Sequence, residues 1–254
     1  MPRRSRHLDG WSERVTQTDP AEVIILEPED DFEVLANNLA SRLEKHYITE
    51  KLLVKWGRPK LARYLANKIP SGKRGRSGDL GEILATEFVN SKRLPYTVPV
   101  NRLRWKDTRN LPMRGEDLIG FDFSARPIRF LKAEAKSRKH LSRSVIAEAR
   151  KALLKNNGLP LPHTLGFIME RLMETNQNEL AEAIEEYVIG RLPKSTDVAH
   201  MIFTLSENDP ESVLTEDSAN VGKGIKHYSV GARVRKHQEF IQLVFERALN
   251  GRIS

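Results

Sequence analysis

Apolar and polar positions alternate along this chain in patterns that name its elements. Residues 1–22 are polar and charged and read as a loose arm, followed by Val23-Ile24-Ile25-Leu26, a short apolar run of strand character. Residues 32–68 turn helical: Leu35, Leu39 and Leu43 recur every four residues, then Leu52, Leu53 and Trp56, then Leu61, Tyr64 and Leu65, punctuated by Pro59 and Pro70. Residues 71–78 read as a basic Ser/Gly loop, and a helix opens at about Asp79 with Leu80, Ile83, Leu84 and Phe88 on one face. Residues 96–103 read as extended and 117–136 as a hairpin. Helical stripes follow at 142–155, 164–173 and 178–190. Residues 198–205 are almost all apolar, which places them in the middle of a sheet. Residues 208–224 read as a loop, and 235–249 as a final amphipathic helix carrying Phe240, Ile241, Val244 and Phe245. The pattern predicts an α/β fold, a mixed central sheet flanked by helices.

The hairpin carries the chemistry. If Ser124-Ala125-Arg126-Pro127 is the whole turn, Phe123 faces Ile128 and Phe121 faces Phe130. The same register sets Asp117 opposite Glu134, and period-two alternation puts Lys136 on the face of Glu134. Opposed carboxylates repel unless a cation lies between them. Oxygen ligands without nearby His or Cys select Mg²⁺ or Mn²⁺. Such an ion acidifies water and neutralises charge growing on a phosphate, and a neighbouring lysine stabilises the same charge. These are the parts of phosphodiester hydrolysis. The competing account is a plain salt-bridge ladder, disfavoured because the strand around Phe130 and Leu131 is too apolar for a solvated edge. Glu82 is the third carboxylate, off the apolar stripe of its helix; alternatively, Asp79 and Glu82 form a capping box.

Helical Glu82, Asp117 at a strand start and Glu134-Ala135-Lys136 on the next strand resemble the PD-(D/E)xK nuclease pattern, with Glu116 standing where that pattern has proline. Gly81-Glu82-Ile83-Leu84 and Pro112-Met113-Arg114-Gly115-Glu116-Asp117, followed by the Glu-x-Lys hairpin, are similar to the HamA family, nuclease subunits of the Hachiman anti-phage system. The resemblance implies a restriction-endonuclease-like αβββαβ core over residues 71–254, with a helical insertion at about 156–195 and a C-terminal helix, and residues 1–70 packing on it. It also implies Mg²⁺-dependent (or Mn²⁺-dependent) DNA cleavage, with Glu82, Asp117, Glu134 and Lys136 as catalytic residues and the three carboxylates as metal ligands. A HamB-like superfamily 2 helicase partner would hold that activity in check.

Composition adds a partner class. The 254 residues carry 42 Lys+Arg against 34 Asp+Glu, a net charge of +8, and 39% are hydrophobic. That favours a polyanion, and the basic residues cluster around the acidic constellation: Lys73, Arg74 and Arg76; Arg102 and Arg104 beside Trp105; Lys132, Arg138 and Lys139. They are the residues expected to bind DNA, with Trp105 either stacking on a base or serving as a rim or core tryptophan. Absence of cysteine excludes disulfides, thiolate zinc sites and a cysteine nucleophile. The seven histidines form no metal-spaced cluster, and residues 71–78 lack the Gly-Lys-Ser/Thr end of a P-loop, so no nucleotide cofactor is expected. No apolar run nears the roughly 18 residues of a membrane span and no signal-peptide core follows the basic N-terminus, so a cytoplasmic location is expected. Two other functions compete: a nucleic-acid- or partner-binding subunit without turnover, and a basic scaffold.

Overall fold

The computed structural model describes residues 8–250 apart from 19, 187, 188, 190–193 and 223. A six-stranded mixed sheet in the order β1-β2-β6-β5-β4-β3 runs through the chain. Its strands are β1 (Trp11–Thr18), β2 (Ala21–Pro28), β3 (Leu118–Asp122), β4 (Arg129–Arg138), β5 (Val198–Ser206) and β6 (His227–Arg233). The central four are mutually parallel, and β1 and β3 close the edges antiparallel. β5 is buried at every position, because parallel strands on both sides and helices on both faces leave it no solvent.

Nine α-helices are present among the described residues: α1 (Phe32–Tyr47), α2 (Glu50–Lys55), α3 (Arg58–Lys68), α4 (Lys73–Phe88), α5 (Arg143–Leu153), α6 (Pro162–Glu174), α7 (Asn178–Glu185), α8 (Glu211–Ala219) and α9 (His237–Asn250). One face of the sheet packs on α1, α3, α4 and α9 through Leu39, Leu65, Leu84, Phe203 and Phe245. The other face packs on α5 and α8 through Ile146, Leu214 and Ile202, and near β3 on α6 and α7 through Ile168, Ile184 and Phe130. No described helix is long and apolar enough to cross a membrane.

Four expectations from the sequence change. The part of the expected arm that is described is β1, whose ladder with β2 extends the sheet; residues 1–7 and 19 lie outside the described residues. From Lys73 on, the basic stretch expected as a loop over 71–78 forms the first turns of α4. Further along α4, a Cβ at Gly81 would come within 3.3 Å of Ser137 Cβ, so glycine lets the helix lie against β4. Ser77 seals that contact by donating to Ser137 O at 3.2 Å. Residues 208–224 contain α8, held by buried Leu214 and by Ser218, whose hydroxyl is 2.8 Å from that of Ser229. β6 was disguised by a polar, small-residue sequence, His-Tyr-Ser-Val-Gly-Ala-Arg, that is nonetheless almost wholly buried. The extended segment 96–103 reduces to one antiparallel bridge, Thr97 to Phe121, and ends in a 3₁₀ turn at Arg102–Trp105. The end of the helix expected over 178–190 falls partly outside the described residues.

The hairpin register matches the sequence reading. Phe121 pairs with Phe130 and Leu118 with Ala133, so Asp117, one residue before β3, is brought level with Glu134.

Candidate active site

Asp117 is the hinge of the site. Its Oδ2 accepts the Ala135 N–H at 2.9 Å, pinning the carboxylate across the β3–β4 edge. On β4, Ala135 and Ser137 face α4, while Glu134 and Lys136 face α5 by alternation. Glu82 therefore approaches Asp117 from one side of the sheet and Glu134 from the other. A small cavity of about 20 Å³ is lined by Glu82, Arg102, Asp117, His46 and Thr86.

Electrostatics record the crowding. Glu82 is pushed well above the usual carboxylate range, first by burial and then by the Asp117 charge, with Arg102 pulling the other way. Glu134 is pushed up to about 7, again by burial first and Asp117 second, against the pull of Lys136. Burial also raises Asp117, although the Ala135 N–H and Arg102 oppose it. Lys136 Nζ donates to Glu134 Oε1 at 2.7 Å and to Glu148 Oε1 of α5 at 3.0 Å. Burial works against its charge, but those two carboxylates outweigh it and raise its proton affinity.

Carboxylates whose proton affinity is raised first by burial, and at Glu82 and Glu134 also by the Asp117 charge, form a set whose repulsion a cation relieves, and all their donor atoms are hard oxygens. That donor chemistry fits Mg²⁺ or Mn²⁺. Among the described residues, however, no three Asp, Glu or His side chains gather into a ready-made metal cluster.

Glu116, at the position of the proline in the resembled pattern, is buried. Its Oε1 accepts the Leu161 N–H at 2.8 Å and lies 3.6 Å from Lys132 Nζ, tying the start of β3 to the N-terminus of α6. The capping-box account of Asp79 does not survive. α4 begins at Lys73, so Asp79 sits in its second turn, buried, accepting from Tyr47 Oη at 2.5 Å and from Lys106 Nζ.

Several residues expected to meet DNA are committed elsewhere. Lys132 is buried and donates to Lys155 O and Leu159 O at 2.8 and 2.9 Å, and burial lowers its proton affinity. Arg102 is buried beside Glu82 and Asp117, with Nη2 donating to Arg114 O at 2.6 Å, so it acts as counter-charge to the carboxylates. Arg104 donates to Lys45 O, and Arg76 to Pro70 O. Trp105 is half-buried, edge-on to Phe167 at 6.1 Å. Lys73, Arg74 and Lys139 are exposed and Arg138 half-exposed. Sequence reasoning missed Glu148 and the Asp79–Lys106 pair; neither leaves a local signal, since each partner lies on a different element.

Fold and site together define a mixed-sheet α/β protein with a carboxylate–lysine cleft at the edge of an antiparallel hairpin. The chain belongs to the HamA family, whose family model matches residues 7–248. It is similar to the Hachiman protein HamA of Bacillus cereus, with 26% identity over 179 residues covering 70% of this chain and 63% of that protein. The chain thus spans less than two thirds of that relative's length.

Proposed function

We propose that this chain is a metal-dependent nuclease that hydrolyses DNA phosphodiester bonds as the effector of a Hachiman-type antiviral defence system, restrained by a helicase partner. The observation that carries the reading is Lys136 Nζ at 2.7 Å from Glu134 Oε1, on the sheet edge that Asp117 closes. Asp117 and Glu134 would hold Mg²⁺ or Mn²⁺, with Glu82 behind Asp117. When bound, the ion would supply charge neutralisation at the phosphate and acidification of water. Lys136 orients the attacking water and donates a hydrogen bond to the phosphate oxygen on which charge grows. Glu134, whose proton affinity burial and Asp117 raise, would be ionised as a ligand once a cation offsets that repulsion. Arg102 limits the repulsion between Glu82 and Asp117.

The test is incubation with supercoiled plasmid in Mg²⁺, Mn²⁺ and EDTA beside Glu134→Ala/Lys136→Ala. Metal-dependent nicking that the folded double mutant lacks supports the reading, and nicking that survives in the mutant refutes it.

One observation favours a second reading, a DNA-binding subunit without turnover: Lys136 is held by two carboxylates and no three-carboxylate cluster is assembled among the described residues. Under it, EDTA leaves function unchanged, and the chain stays inert when a HamB-like helicase is added.

A further inference from the structure

Beside the carboxylates lies an open cleft of about 590 Å³ between the loop of residues 105–114 and α6, a volume in the range of small-ligand sites. Arg102 is the wall between the two, lining both this cleft and the small cavity of Glu82 and Asp117. The loop is packed tightly onto α6. Gly115 has φ +94°, and a Cβ there would come within 2.5 Å of Thr164 Oγ1.

Two features of the cleft point to its ligand. First, three of the residues that line it carry, just beneath its surface, polar atoms that no protein partner meets. Arg102 Nε, Thr164 Oγ1 and Arg171 Nε are buried and unpartnered among the described residues, and Arg102 and Thr164 are only 7% and 3% exposed. The Arg171 Nη groups are taken by Glu170 and Glu174, which leaves Nε. Buried donors without acceptors are costly, and an anionic oxygen satisfies them. Second, the cleft has an aromatic wall. Trp105 and Phe167 meet edge to face, and the Arg171 guanidinium lies over both rings at 5.8 and 5.4 Å. Donors for a phosphate beside a planar apolar wall suit one nucleotide. Only an unpaired base offers its face to such a wall, since duplex bases are already stacked on each other.

We infer that this cleft receives one unpaired nucleotide of a single-stranded DNA segment, base against Trp105 and Phe167 and phosphate toward Arg102, Thr164 and Arg171. The inference deepens the nuclease reading and rests on it for placing the next phosphate at Asp117 and Glu134. The substrate is then a frayed, gapped or unwound strand rather than intact duplex.

Fluorescence anisotropy in EDTA tests this with a labelled oligothymidylate of about ten nucleotides, within the usual footprint of single-strand sites, and a hairpin duplex of equal length. Wild type is expected to bind the single strand about tenfold more tightly, the order of one base–aromatic stack, and Trp105→Leu and Arg171→Gln to erase that preference while Trp105→Phe keeps it. Melting curves identify a misfolded variant; if Trp105→Leu fails to fold, Arg171→Gln carries the test. Equal affinity for both DNA forms, or a loss that falls equally on both, overturns the proposal. Because the readout needs no cleavage, the two readings fail separately. A single-strand preference in a protein that cleaves neither plasmid nor the single strand in Mg²⁺ or Mn²⁺ refutes only the nuclease, and metal-dependent cleavage by a protein without the preference refutes only the cleft.

Discussion

Lys106 Nζ donates to both carboxylate oxygens of Asp79, at 2.7 and 2.9 Å, with both side chains buried and Asp79 three residues before Glu82 on α4. The pair anchors the 3₁₀ turn that carries Arg102 to the helix that carries Glu82. Removing one partner leaves a bare charge in the interior. Lys106→Met is expected to destabilise the fold by about 3–5 kcal/mol, and adding Asp79→Asn to recover part of it. Urea denaturation measures both; a loss below about 1 kcal/mol for the single variant contradicts the structural role.

A pH dependence follows from His237, whose ring nitrogen lies 3.0 Å from Ser137 Oγ and which burial, partly offset by Glu207, pushes down to about 4. A base depressed in the fold binds fewer protons than the unfolded chain between its two pKa values, so stability rises with pH across that window and is lost on acidification. Between about pH 7.5 and pH 5, wild type is expected to lose about 2 kcal/mol more than His237→Gln. Denaturation at both pH values decides it, since buried His200 and His227 contribute equally to both proteins. Equal losses would show that His237 is not held neutral.

Lys132 and the first turn of α4 separate basic residues that serve the fold from those free to meet a polyanion. Lys132→Ala strands two backbone carbonyls and is expected to destabilise by about 2–3 kcal/mol while leaving the salt dependence of DNA binding unchanged. Lys73→Ala/Arg74→Ala should leave stability within about 0.5 kcal/mol and flatten the log K against log salt slope by about 2. The reverse assignment of effects would place Lys132, not Lys73 and Arg74, on the DNA.

Glu148, on α5, holds Lys136 from solvent at 3.0 Å, and its side chain is 61% exposed. An ion pair this open contributes little to stability, so Glu148→Gln should shift the fold by less than about 0.5 kcal/mol. If it positions the Lys136 ammonium, plasmid nicking falls a few-fold, less than the loss in Lys136→Ala, and Glu148→Asp restores part of it. Nicking unchanged in Glu148→Gln assigns the contact to surface charge alone.

The fold was readable wherever its signal was local. Leu35, Leu39 and Leu43 announce α1, and residues 198–205 announce a buried central strand, because helix periodicity and continuous apolarity need no partner to be seen. β6 and α8 were not readable. Ser218 and Ser229 are buried by satisfying each other, and Gly231 accommodates Pro210, whose Cγ would lie 2.5 Å from a Cβ there. Polar and small residues of this kind become core only once their partner arrives.

The candidate site divides the same way. Turn length and the two-residue period of strands determine, from sequence alone, that Asp117 lies level with Glu134 and that Lys136 shares its face. Only the tertiary structure decided that Glu82 reaches Asp117 from the other side of the sheet, that Glu148 completes the seat of Lys136, and that Arg102 and Lys132 turn inward. The reason is physical. Register is a property of two neighbouring strands, whereas burial of a charge depends on acceptors brought by distant segments, as Leu159 is brought to Lys132 and Lys106 to Asp79.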